Sequence, residues 1–135
     1  MTADETSGGS FGVAVVRLAL AVTAGGSLGV VGYLVFPGPL PGLLAGLATA
    51  VGFFLLAPLL LAPDTVPRDA SDRRVGGVDP IPAGAALAGS APIVFVGMFV
   101  SGSVALAASL SLLCAVAGYR LFSAAVPDEM PDAGE

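Results

Sequence analysis

Four stretches of this chain, residues 11–36, 40–62, 81–100 and 104–122, are almost free of charge, and each is long enough to cross a lipid bilayer as a helix. The first has 26 residues, about 39 Å at 1.5 Å per residue against a hydrocarbon core of roughly 30 Å, and only Arg17 interrupts it. The last has 19 residues, about 28 Å, which still suffices. With 56% apolar and 11% charged residues and a mean hydropathy of +0.94, the chain does not have the make-up of a water-soluble globule.

Chain breakers separate the runs. Pro37, Gly38, Pro39, Pro41 and Gly42 end the first helix and turn the chain, because Pro has no amide donor and Gly no restraint on its backbone. Pro63 ends the second run and opens a hydrophilic connector, residues 63–80, holding Arg68, Arg73 and Arg74 with Asp64, Asp69, Asp72 and Asp79. Asp79-Pro80 reads as the start of the third helix, with Asp as cap and Pro preorganised for the first turn. Ser101-Gly102-Ser103 turns the chain into the fourth. The predicted fold is all-α: an integral membrane four-helix bundle of two transmembrane hairpins, joined by a charged cytoplasmic connector and flanked by acidic tails at 1–10 and 123–135.

Orientation follows from arginine. Three of the five lie in the connector, Arg17 early in the first run and Arg120 late in the fourth, while the two opposite turns carry no charge. The positive-inside rule then puts both termini and the connector in the cytoplasm, for a multi-pass protein of the plasma membrane. The N-terminal residues carry Asp4 and Glu5 and lack the basic flank of a secretory leader, so none is expected. Tyr33 and Tyr119 fall near run ends, where amphipathic rings anchor at headgroups.

His, Lys, Trp, Asn and Gln are absent and Cys114 is the single cysteine, which removes the usual bases, Schiff-base amines and zinc, haem or iron-sulfur ligands. No cofactor, no metal and no enzymatic activity are expected. The net charge of -5 argues against a nucleic-acid partner. The acidic surplus, the missing Lys and the heavy use of Ala, Gly and Val resemble the make-up of membrane proteins from extreme halophiles such as haloarchaea. That resemblance implies a setting of high salt, where contact charge pairs count and long-range steering does not.

A few residues require partners. Arg17 lies within the first run, where a guanidinium costs on the order of 2.5 to 3.5 kcal/mol at mid-bilayer, so it must reach headgroups by snorkelling or find a carboxylate. Asp64 follows a helix C-terminus, where the helix dipole disfavours a carboxylate unless a cation is near. With Asp79 and Arg120 these form a predicted neutral collar at the inner mouth of the bundle. Pro58 and Pro92 lie inside runs and free the carbonyls of Phe54 and Ala88, so kinks are expected there. Small residues at near-helical spacing, among them Gly25, Gly29, Gly42, Gly46, Gly89, Ala107 and Ser111, are the expected helix-packing contacts.

Three functional readings follow. The first is a non-enzymatic accessory or scaffold subunit or homo-oligomer, its partners the lipid bilayer and other membrane proteins or itself. The second is a small channel or transporter lined by hydroxyls such as those of Thr23, Thr49, Ser109 and Ser111. Small multidrug exporters and fluoride channels also have four spans, but here no Glu lies in any span and no Asn exists at all. The third is a membrane enzyme using connector carboxylates and a divalent ion. A continuous polar cavity would favour transport, clustered connector carboxylates metal chemistry, and a lipid-facing small-residue groove a partner helix.

Overall fold

The computed structural model describes residues 3–125, with side chains from residue 11 onward apart from that of Ala70. It is all-helical. Four long helices, α1 (Ala3–Val35), α2 (Leu40–Leu61), α4 (Pro80–Ser101) and α5 (Val104–Ala125), each contain a segment long and apolar enough to span a membrane, and the short α3 (Ala70–Arg73) lies between α2 and α4. This is the architecture of a multi-pass membrane protein. Helix α1 begins before the apolar run, so residues 3–10 are helical where the sequence reading places a polar tail. The acidic tail expected from residue 123 lies, beyond Ala125, outside the described residues.

The breakers act where their chemistry requires. Gly38, with φ of 98°, lets the chain reverse between α1 and α2. Gly102, with φ of 64°, closes α4 by donating its amide to the Met98 carbonyl at 2.8 Å. Pro58 and Pro92 sit inside α2 and α4 without breaking either helix.

The helices pack side by side, with α2 and α4 central and α1 and α5 on the flanks. Lipid supplies no hydrophobic force between helices, so close backbone approach must do the packing. Gly25 meets Gly46 and Ala50, and Gly42 meets Gly29 and Gly32, which sets α1 antiparallel to α2. Gly52 of α2 meets Gly84 and Ala88 of α4, and Gly97 of α4 meets Ala107 of α5. A cluster of Phe36, Ala45, Ala91, Val94, Met98 and Ala107 lies toward the α1–α2 turn, where the Phe36 ring stacks at a tilt on Phe95 and Phe99 at 5.5 and 4.9 Å.

Gly89 is the exception among the predicted packing residues. It is exposed, and a Cβ placed on it would meet nothing within 4 Å. Gly84 already faces Gly52, and five positions further along the helix is about 140° around it, on the outer side. The contacts of α4 are made instead by Gly84 and Gly97, which the four-residue spacing did not single out.

These contacts predict opposite outcomes for two similar substitutions. In Gly52→Ala the new methyl would lie 2.7 Å from the Ala88 amide nitrogen and 2.8 Å from the Gly84 carbonyl oxygen, both backbone atoms, and unfolding in mixed micelles should show a loss of about 1–3 kcal/mol. Gly89→Ala meets no atom and should leave stability unchanged or raise it by about 0.5–1 kcal/mol through the lower entropy of its unfolded state.

Candidate functional site

Two polar centres stand out in a molecule with few polar side chains. The first lies in the connector. Gly76 and Gly77 both have positive φ, 60° and 82°, so Val75 and Val78 pair across a two-residue turn of the kind that demands glycine. The turn brings Arg73 back against Asp79. Arg73 Nε and Nη2 donate to Asp79 Oδ2 at 3.2 and 3.1 Å, while Nη1 donates to the carbonyls of Pro67 and Arg68 at 3.1 and 2.6 Å. The pair is almost wholly enclosed, at 1% and 8% side-chain exposure, and its geometry meets the condition under which a buried ion pair is tolerated: each charge is hydrogen-bonded as well as paired.

Asp79 serves two structures at once. Its Oδ1 accepts from the Ile81 amide at 3.0 Å and so caps α4, while its own amide donates to the Tyr119 hydroxyl of α5 at 3.3 Å. The node therefore ties the connector to the first turn of α4 and to α5. Beside it, Asp69 accepts from the Ser71 amide at 3.1 Å, and the bonds from Ser71, reinforced by Arg73, hold its carboxyl below the usual carboxylate range. Its support for the connector is thus present above that range and is lost as the pH falls through the lowered value.

The second centre lies in the apolar zone. Pro58 has no amide proton, so the Phe54 carbonyl lacks its helical donor. Arg17 of α1 supplies one: Nη2 donates to the Phe54 carbonyl at 3.2 Å, and the guanidinium carbon stands 4.4 Å from the centroid of the Phe54 ring. A cation without an acceptor and an acceptor without a donor satisfy each other. The register of the glycine contacts accounts for the meeting, since each step of four back along α1 matches a step of four forward along α2, from Gly29–Gly42 to Gly25–Gly46 and on to Arg17–Phe54.

The four collar charges do not close into one ring. Asp79 is taken by Arg73, Arg17 by Phe54, and among the described residues neither Arg17 nor Arg120 forms an ion pair with Asp64 or Asp79. The Gly-Gly turn delivers to Asp79 an arginine from six residues away, nearer along the chain than either Arg17 or Arg120. The turn is legible as Val-Gly-Gly-Val, which marks the reversal that returns the connector arginines toward Asp79.

Several hydroxyls within the helices bond backbone carbonyls. Thr49 donates to the Ala45 carbonyl, Ser90 to Leu87, Ser109 to Ala105, and Ser111 reaches across from α5 to the Ser90 carbonyl of α4 at 2.9 Å. Ser111 is thereby a hydrogen-bonding contact between helices as well as a small residue. A groove of about 180 Å³ beside Ser90 and Ser111 is otherwise walled by Leu44, Ala48, Leu87, Val94, Leu112 and their neighbours. A second, of about 250 Å³, runs under Val78 and Tyr119 between α4 and α5. A third, of about 300 Å³, is lined by Gly26, Gly29, Val30, Tyr33, Pro39 and Leu43 between α1 and α2. Among the described residues no three His, Cys, Asp or Glu side chains gather to hold a metal ion, and Cys114 is a half-buried free thiol.

No family model matches the chain, and neither the curated proteins nor the solved structures give a match.

The Arg17–Phe54 contact predicts a coupled double substitution. Arg17→Leu leaves the Phe54 carbonyl without a donor when Pro58 is present, whereas Pro58→Ala restores a helical amide to it. Unfolding measurements should therefore find Arg17→Leu about 1–3 kcal/mol more damaging with Pro58 than with alanine at that position. Equal effects in the two backgrounds would show that the bond contributes nothing.

Proposed function

We propose that the chain is a non-enzymatic multi-pass membrane protein that works by lateral association, as an accessory or scaffold subunit or as a homo-oligomer. In this reading α1–α2 and α4–α5 are two transmembrane hairpins, the connector carrying Arg68, Arg73 and Arg74 is cytoplasmic with both termini, and the plasma membrane is the site of action. The distribution of arginine supports the orientation.

The observation that carries the reading is the groove between α1 and α2. Gly26 is exposed on its rim with no atom within 4 Å of where a Cβ would stand, and Gly29, Val30, Tyr33, Pro39 and Leu43 complete it. A shallow, glycine-bared channel on the outside of a membrane helix pair is the shape into which another helix packs by close backbone approach. The transport reading has weaker support, because three of the four hydroxyls it would use, those of Thr49, Ser109 and Ser111, already bond carbonyls and the groove beside Ser90 and Ser111 is largely apolar. The enzyme reading has weaker support still, since Asp79 is engaged by Arg73 and Asp69 by Ser71.

Gly26→Leu starts from a Cβ that meets no atom of the chain and places its side chain in the groove. In mild detergent it should leave thermal stability unchanged while shifting the protein from a larger species to the monomer on native gels. A wild-type chain that is already a lone monomer, or a variant that associates as before, would contradict the proposal.

A further inference from the structure

Arg17 holds a positive charge that nothing in the described chain neutralises. Its contacts are one carbonyl and one ring, both of Phe54, and neither carries a formal charge. Its Nε is enclosed and donates to nothing. Phe54 lies seven residues before Leu61, where α2 ends, so the guanidinium stands about 10 Å inside the end of that helix. A cation at this depth is costly without a counter-charge.

We propose that Arg17 is a binding site for the phosphodiester of an anionic phospholipid in the leaflet on the connector side. The proposal rests on the chain spanning a membrane and is independent of its role as an accessory subunit. Three observations support it. The contact with Phe54 occupies one face and one N–H of a guanidinium that has five, and fixes the group in place, so that a phosphate binds a preorganised cation. The N-terminal end of α1 is the end at which α2 finishes and the connector begins, and Arg17 lies in the half of the first apolar run next to that end, so the headgroup layer nearer to it is the one on the connector side. The neighbours Val13, Val16 and Leu18 are exposed apolar surface that lipid chains must cover, so a lipid lies alongside Arg17 with its phosphate on the connector side, within the reach of one side chain and a local indentation of the leaflet. A free hydrated anion would have to shed its water to reach the same point.

The site can be tested with the full chain in nanodiscs of equal phosphatidylglycerol and phosphatidylcholine, released and weighed by native mass spectrometry. The wild type should retain one phosphatidylglycerol per chain in preference to phosphatidylcholine, and millimolar inorganic phosphate should not displace it. Arg17→Leu should lower the retained fraction roughly tenfold, and Arg17→Lys, which keeps the charge and loses the fork, should fall between the two. Circular dichroism establishes that each variant is folded. A wild-type chain that retains no phosphatidylglycerol overturns the proposal whatever the variants do. So does equal retention by a folded Arg17→Leu, displacement by inorganic phosphate, which would mark a free-anion site, or a co-purifying protein whose carboxylate cross-links at position 17.

Discussion

Hydrocarbon offers no hydrogen bonds, so every amide and carbonyl within a spanning segment must find its partner inside the protein. That constraint explains why the long elements are helices and why their few polar side chains are engaged as they are. Thr49, Ser90 and Ser109 return their hydroxyls to their own helices, and Ser111 gives its hydroxyl to the neighbouring one. It also explains Arg17. A proline within α2 opens one carbonyl, and the guanidinium that the adjacent helix carries at the same level closes it. Removing water makes each residue necessary to the other.

Packing obeys a related rule. Lipid is as apolar as leucine, so association depends on how closely backbones approach, and the contacts of α2 with α1 and α4 are built on Gly25, Gly42, Gly46, Gly52 and Gly84. The connector follows water-phase chemistry instead. A glycine-glycine turn, a capped short helix and an enclosed Arg73–Asp79 pair give it a fixed shape, and Asp79 passes that shape on to α4 and Tyr119. The segment between the second and third spans is thus a structured element set against the helix ends.

Length and hydropathy alone carried the all-helical architecture, because a run of twenty apolar residues has few other ways to fold. The ends of α2 and α4 were legible for the same local reason, since Pro63, Asp79 and Gly102 act on their own turns. What spacing could not supply was rotation and register. Gly89 shares the small-residue pattern yet faces outward, while Gly52, Gly84 and Gly97 make the contacts. The needs of Arg17 and of the Phe54 carbonyl were each readable, but their meeting depends on how α1 slides along α2, which a single helix does not encode. The partner of Asp79 comes from across the turn beside it, Arg73, and not from the other helix ends, because the glycine pair folds the connector back on itself.

The central claim, that four helices cross a bilayer with the connector opposite the two short turns, is tested most directly by thiol labelling in intact membranes. With Cys114 replaced by Ser, single cysteines at Gly38, Arg74 and Gly102 can each be probed with an impermeant maleimide from either face. Labelling of position 74 from the cytoplasmic face, and of 38 and 102 only from the opposite face, is the predicted result. Reaction of all three from one face, or recovery of the chain in the soluble fraction, would contradict it.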